Sequence, residues 1–252
     1  MKNSNEKWVL VTGANGGIGK ALVTCFAENG YSVVATDITD LTVSAPNITN
    51  LKIDLERIVL DEAYADILQK DVIELTSGAG LTALVNNAAV QILGSVREVS
   101  REDWLKSMNV NVSAPFFMVQ LFLESLKENK GSVVNISSIH ALQTKRSFVT
   151  YATSKGALSS LTRNMAVDIG NAVRINAIEP AAVSTDMLRA GFKGKEEQFE
   201  LLEAFHPIAR IATPEEVAQL ALFLCSEQSS FIHGACLNAT GGIHGCLSDP
   251  DR

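Results

Sequence analysis

The chain has 252 residues, 46% hydrophobic and 19% charged, with 21 basic against 28 acidic side chains and a net charge of −7. That apolar share supports a sizeable core, and the acidic balance excludes a sequence-independent grip on nucleic acid, which needs a basic face. No apolar run approaches the ~20 residues of a membrane-spanning helix, and Met1–Lys7 with the short Trp8–Val11 run does not form a leader pattern, so no membrane and a cytoplasmic location are expected.

In chain order, short apolar runs alternate with helical patterns. Trp8–Thr12 is the first predicted strand. Ile18, Ala21, Leu22, Cys25 and Phe26 then recur at helical spacing, and Asn29-Gly30 ends that helix. Further strands are predicted at Tyr31–Asp37, Asn50–Asp54, Leu81–Asn86, Gly131–Ser137, Val173–Ile178 and Ala235–Asn238. Helices are predicted near 57–76, 101–128, 152–169 and 214–226. Such alternation implies a parallel sheet buried on both faces, with right-handed crossovers placing helices on each side. The polar stretch Ser184–His206, with Gly191 and Gly194, breaks the rhythm and is expected to form a substrate lid over about 184–206. No linker or repeat divides the chain. Residues 1–252 are therefore expected to form a single α/β domain: a doubly wound, Rossmann-type fold with a seven-stranded parallel sheet and helices on both faces. Cys25, Cys225, Cys236 and Cys246 form no C-x-x-C pair, so incidental thiols in a reducing compartment are expected, and no metal site. His206, His233 and His244 have no partner at metal-ligand spacing and are expected to be structural.

Thr12-Gly13-Ala14-Asn15-Gly16-Gly17-Ile18-Gly19 falls where the first strand meets the first helix. Glycines there allow a tight turn and bring backbone N–H groups and a helix N-terminus to a pyrophosphate. A glycine-rich helix entry is the bland alternative, and the spacing G-x-x-x-G-x-G differs from the usual G-x-G-x-x-G. Asp37 ends the second predicted strand, where a carboxylate accepts ribose hydroxyls and repels a 2′-phosphate. Neither Asn15 nor Ile38 offers a cation for such a phosphate, which favours NAD over NADP. Asp54 either caps the next helix or accepts the adenine amino group.

Tyr151-x-x-x-Lys155 opens a helix with both side chains on one face. A free tyrosine, with a pKa near 10, is a poor base; a neighbouring ammonium and an oxidised nicotinamide would bring it toward the working range. Alone, the pair reads equally well as surface decoration. Ser138, thirteen residues upstream at the C-terminal end of a predicted strand, points instead to a site, because ligands bind there in open α/β sheets.

Thr-Gly-x-x-x-Gly-x-Gly, Asn86-Asn87-Ala88-Ala89, Asn111, Ser138, Tyr151-x-x-x-Lys155 and Asn176…Pro180 together resemble the short-chain dehydrogenase/reductases, over roughly residues 7–242. The resemblance implies an NAD-dependent oxidoreductase that interconverts a secondary alcohol and a ketone by hydride transfer. It implies Tyr151 as general acid/base, Lys155 as holder of the nicotinamide ribose and tuner of the tyrosine, and Ser138 as polariser of the reacting oxygen. Asn111, in a Trp-x6-Asn pattern from Trp104, would hold a water of the proton relay. The cofactor is then expected along Gly13, Asn15, Gly17, Ile18 and Gly19, beside Asp37, Ile38, Asp54 and Leu55, and against Asn87, Ala88 and Ala89. Its nicotinamide end is expected at Tyr151, Lys155, Pro180, Val183 and Thr185. A homo-oligomer, dimer or tetramer, is implied, with contacts through 101–128 and 152–169. Ala89 and Ala181 replace the glycines of the family's Asn-Asn-Ala-Gly and Pro-Gly, and are expected in ordinary backbone regions.

For the substrate, Gln91 and His140 resemble the polar residues that grip a carboxylate in 3-hydroxybutyrate dehydrogenases, although Phe148 stands where those enzymes carry a lysine. Lys145, Arg146, Arg189, Lys193 and Lys195 form either a basic patch for an acidic substrate or a solvated loop. A small polar substrate, acidic or sugar-like, is expected to meet Gln91, Ser138, His140 and Tyr151. One alternative is a 3-oxoacyl-thioester reductase, resembled in Pro207-x-x-Arg210…Pro214-Glu215-Glu216 and disfavoured by Asp37. The other is a non-catalytic NAD(H)-binding protein, disfavoured by the intact Ser138, Tyr151 and Lys155.

Overall fold

The computed structural model describes residues 6–41 and 44–247, so most of the Met1–Lys7 stretch lies outside it. The first half contains β1 (Lys7–Thr12), α1 (Gly17–Glu28), β2 (Tyr31–Asp37), β3 (Ile48–Lys52), α2 (Leu55–Leu60), α3 (Glu62–Leu75) and β4 (Ala83–Asn86). Then follow α4 (Arg101–Met108), α5 (Ala114–Glu128), β5 (Ser132–Ile136), α6 (Val149–Ile169) and β6 (Arg174–Pro180). The chain closes with α7 (Asp186–Gly191), α8 (Glu196–Ala204), α9 (Pro214–Cys225) and β7 (Cys236–Ala239).

The strands form one seven-stranded parallel sheet in the order β3-β2-β1-β4-β5-β6-β7. Side chains alternate along each strand, so β1 sends Val9 and Val11 to one face and Trp8 and Leu10 to the other. The first face packs on α1 and α9 through Leu22, Phe26, Val217 and Leu224. The second packs on α3, α5 and α6 through Leu68, Val72, Met118, Phe122 and Met165. Crossovers run outward in opposite directions from β1 and β4. Their carboxyl ends therefore part to leave a crevice, the usual ligand position in such a sheet.

Most predicted bounds differ by one to three residues, and three elements depart for a visible structural reason. The edge strand β3 lies two residues earlier than Asn50–Asp54, because Asp54 leaves the sheet to cap α2. Its Oδ1 accepts from the N–H of Glu56 at 2.9 Å and of Arg57 at 3.4 Å. The helix expected near 57–76 breaks at Asp61, which caps α3 by accepting from Tyr64 N–H at 3.1 Å. The helix near 101–128 passes through a π turn at Asn109–Ser113. Within 184–206 the chain forms α7 and α8, separated by Gly194 at φ 74°.

Candidate active site

Gly13 turns the chain out of β1 at φ 67°. A Cβ there would lie 2.7 Å from Ala88 Cα; one at Gly17 would lie 2.8 Å from Thr185 Cγ2, and one at Gly19 would overlap the Gly13 carbonyl oxygen. Only glycine allows these approaches. Helix α1 then begins with no side-chain cap and no acidic residue in its first turn, so its N–H groups and dipole face the crevice. That donor set fits a pyrophosphate.

Two residues brace the turn. Thr12 Oγ1 accepts from the N–H groups of Asn87 and Ala88, each at 3.0 Å. Asn87 Nδ2 donates to the carbonyls of Thr12 and Gly13 at 2.9 and 3.0 Å, which uses both amide hydrogens. Ala89 and Ala181 have ordinary φ, as expected from their Cβ atoms.

Asp37 stands at the end of β2 with its carboxylate held in place. Oδ2 accepts from Asn15 N–H at 3.0 Å, and Oδ1 from the N–H and hydroxyl of Thr39 at 3.0 and 2.9 Å. Ile38 beside it is exposed. Lys52 lies in register opposite Asp37, a cation that the sequence did not point to, and its ammonium pairs with Asp40 at 3.0 Å. The Leu55 side chain is buried in the core cluster that also holds Leu10 and Val34, which leaves its main chain for the expected cofactor contact.

Ser138 follows β5, and Tyr151 and Lys155 lie in the first two turns of α6. The Ser138 hydroxyl lowers the pKa of the neighbouring Tyr151 phenol and accepts from His140 N–H at 3.1 Å. Lys155 Nζ donates to the Ile136 carbonyl at 2.7 Å and lies 5.7 Å from the Tyr151 ring centroid. Asn111, turned inward by the π turn, donates to the Val90 carbonyl and to Ser154 Oγ, both at 2.9 Å, and accepts from Val90 N–H at 2.8 Å. Both amide hydrogens are engaged, so this side chain has none to give a relay water. Ser154 in turn donates to the Tyr151 carbonyl at 2.8 Å, so Asn111 fixes the first turn of α6 through it.

Burial dominates the electrostatics here. Desolvation pushes the Tyr151 phenol above its ordinary value, and the Ser138 hydroxyl only partly offsets it. Desolvation also brings the buried Lys155 down to about 7. Of the lowering expected for the tyrosine, only the Ser138 contribution is present among the protein's own groups, and burial outweighs it.

On the substrate side, His140 stacks on Phe148 with centroids 4.4 Å apart, and both rings meet Tyr151 edge-on. Its Nδ1 lies 3.0 Å from Thr144 Oγ1. Desolvation and then the Lys145 ammonium lower its pKa, so it is neutral near pH 7. Lys145 Nζ lies 4.7 Å from the Phe148 centroid. Gln91 is exposed on the loop after β4. That loop is tied to the Phe148 segment by Gly94 N–H donating to the Ser147 carbonyl at 2.8 Å. Val183 is buried and Thr185 caps α7, accepting from Leu188 N–H at 3.2 Å; Pro180 ends β6 beside them. The structure thus gathers the glycine turn, Ala88 and Thr185, and separately Ser138, Tyr151 and Lys155, in the crevice region. Thr12 and Ser154 were absent from the expected site. Thr12 lies in the Thr-Gly pattern itself, whereas nothing in the sequence marks Ser154.

Arg210 and Glu216, part of the likeness to thioester reductases, serve local structure. Their side chains pair at 2.7 and 2.8 Å, and Glu216 completes a capping box with Thr213 at the start of α9.

A sequence model described as enoyl-(acyl carrier protein) reductase matches residues 13–244. A 2,5-dichloro-2,5-cyclohexadiene-1,4-diol dehydrogenase of Sphingobium indicum is 32% identical, covering 96% of this chain and 99% of that protein. The ligand-free aldohexose dehydrogenase of Thermoplasma acidophilum has TM-score 0.89 and 27% identity over 99% of each chain. The 3-ketoacyl-(acyl-carrier-protein) reductase of Brucella melitensis, solved with NADH, has TM-score 0.83 and 25% identity, over 96% of this chain and 100% of that one. Sheet order, site and relatives agree: the chain belongs to the short-chain dehydrogenase/reductase family, oxidoreductases that act on CH–OH groups with a nicotinamide cofactor.

Proposed function

We propose that the protein is an NAD-dependent dehydrogenase that interconverts a secondary alcohol and a ketone on a small polar substrate rich in hydroxyl groups. The observation that carries this is the convergence of Ser138, Tyr151 and buried Lys155 at the carboxyl end of β5, with the Lys155 ammonium held by the Ile136 carbonyl. The glycine turn would hold the pyrophosphate, Asp37 the adenosine ribose, Lys155 the nicotinamide ribose, and Val183 and Thr185 the carboxamide. The bound oxidised cofactor supplies the hydride acceptor for the carbinol carbon. Ser138 orients the substrate oxygen, and Tyr151 Oη takes its proton during oxidation or returns it during reduction. Because Tyr151 is held above its ordinary value, the reductive direction finds the acid in its ready form near neutrality, and oxidation should gain as pH rises.

A neutral His140 packed on Phe148 suits hydroxyl groups better than a carboxylate. The diol and aldohexose dehydrogenases among the relatives support the same class. Residues 184–206 would act as the lid, through α7 and α8. The four cysteines are all free, which suits a reducing cytoplasm. The test is a panel of diols, sugars, hydroxy acids and 3-hydroxyacyl thioesters with NAD and NADP, run on wild type and Tyr151→Phe. On a turned-over substrate, Tyr151→Phe should lose about 10²–10⁴-fold in rate with little change in NAD affinity. A variant retaining most of its activity would refute the mechanism. Turnover confined to thioesters would refute the substrate class.

A further inference from the structure

Beneath the reacting groups a buried carboxyl is linked to Lys155. Glu179, next to the last residue of β6, is 1% exposed. Its Oε1 lies 2.7 Å from Ser159 Oγ, which lies 2.8 Å from Ser137 Oγ, which lies 3.0 Å from the Lys155 carbonyl oxygen. All four residues are buried. Ser137 and Ile136 are neighbours, so Lys155 is held twice: its ammonium by the Ile136 carbonyl and its main chain by Ser137.

Counting hydrogens sets the direction of this chain. Three short oxygen–oxygen contacts need three hydrogens, and a hydroxyl supplies one each. The Lys155 carbonyl supplies none, so the two serines fill only two of the three contacts. If Ser159 donates to Glu179 and Ser137 to the Lys155 carbonyl, the 2.8 Å contact between the two serines is left without a hydrogen of its own; a protonated Glu179 carboxyl supplies the missing one. A second observation agrees. None of the ion pairs among the described residues includes Glu179, and its Oε2 has no partner. The Arg163 guanidinium on α6 donates to Cys236 Sγ at 3.3 Å. An unpaired buried anion is costly, whereas the acid form is not.

We propose that Glu179 is a positioning residue that acts as a carboxylic acid. It donates to Ser159, Ser159 to Ser137, and Ser137 to the Lys155 carbonyl, a one-way chain that sets where Lys155 and the adjoining Ser138 stand. Ser138 directly follows Ser137, so the end of β5 and the second turn of α6 are fixed against each other. The idea rests on the proposed chemistry for its effect on rate, but the acid form of Glu179 does not depend on it.

The test combines infrared difference spectra with three variants. Wild type minus Glu179→Gln should show the C=O stretch of a protonated carboxyl, and Ser159→Ala should shift that band because the acid loses its acceptor. Glu179→Gln keeps an N–H donor toward Ser159 and should retain kcat within about threefold, whereas Glu179→Ala and Ser159→Ala should each lose about tenfold or more through misplacement of the reacting groups. Ser159→Ala, a deletion of one buried atom, keeps the comparison open if Glu179→Ala fails to fold. Absence of the protonated-carboxyl band, or equal losses in Glu179→Gln and Glu179→Ala, would overturn the proposal. If the band is present but Tyr151→Phe remains active, the proposed chemistry fails while the acid form of Glu179 stands.

Discussion

Burial of the Lys155 ammonium carries an electrostatic cost whose sign can be worked out. The unfolded chain keeps the lysine proton up to a pKa near 10.4; the folded protein keeps it only up to about 7. Between those values the unfolded state binds the extra proton, so this group makes stability rise with pH, and its penalty is complete below about 7. Lys155→Met should therefore be inactive, yet gain stability of several kcal/mol at low pH, less about 1 kcal/mol for the donor lost to the Ile136 carbonyl. Thermal unfolding of both proteins at about pH 6 and about pH 9.5 checks this, since the gain should shrink at the higher value. An equal difference at both pH values would show that the ammonium is not destabilised by burial. Asp37 gives a second residue-level expectation, an NAD preference of at least about tenfold in kcat/KM, that is, about 1.4 kcal/mol. Asp37→Ala should narrow that gap mainly by weakening NAD, and comparable wild-type efficiencies with NAD and NADP would sink the assignment. Residue types disclosed this chemistry early: a Tyr–Lys pair four apart and a carboxylate ending a strand can be seen in a string of letters. The direction of the Tyr151 shift could not, because it follows from burial, a property of the whole packing.

Elements were readable where one periodicity ran unopposed. The inner strands β1, β2, β4, β5 and β6 coincide with largely apolar runs, because strands covered on both faces need no polar alternation, whereas the edge strand β3 is mostly polar. The departures at β3 and near 57–76 share a physical cause: a side chain outbid the pattern. Asp54 and Asp61 each use a carboxylate to cap a helix, ending β3 two residues before its expected end and dividing the helix expected near 57–76. The π turn at Asn109–Ser113 was not read from the sequence, where the segment falls inside one helix predicted near 101–128. Its effect on the site is large, because it delivers Asn111 to Val90 and Ser154. The glycine turn yields the prediction at this scale. Gly19→Ala puts a methyl onto the Gly13 carbonyl oxygen, backbone that cannot move without displacing β1 from α1. It should cost about 1–3 kcal/mol or more and abolish NAD binding. Gly16→Ala, whose new carbon would lie 3.4 Å from that same oxygen, should cost far less. Similar urea midpoints for the two variants would show that the turn is not packed this tightly.

At the scale of the whole molecule, the doubly wound order places both halves of the site at one rim of the sheet, which leaves the outer faces of the helices for other uses. The parallel, doubly wound architecture could be anticipated from strict β/α alternation and right-handed crossovers, whereas neither the strand order nor what covers the outer faces could, since both belong to the folded molecule. Large apolar side chains remain exposed there: Trp104 and Leu105 on α4, Phe116 on α5 and Val167 on α6. Single exposed apolar residues are ordinary, but these lie on the helices that family resemblance assigns to subunit contact. We therefore expect a homodimer or homotetramer through α4, α5 and α6. A stable contact needs roughly 1,600 Å² of buried surface, and a core of such residues would supply its apolar centre. The net charge of −7 opposes association only at long range, so added salt should strengthen the assembly. Light scattering should give twice or four times the protomer mass. Leu105→Glu with Phe116→Glu should lower that mass while leaving the far-ultraviolet circular dichroism unchanged. A wild-type mass of one protomer at every concentration and salt level would refute the expectation, and an unchanged mass in the double variant would move the contact to another face.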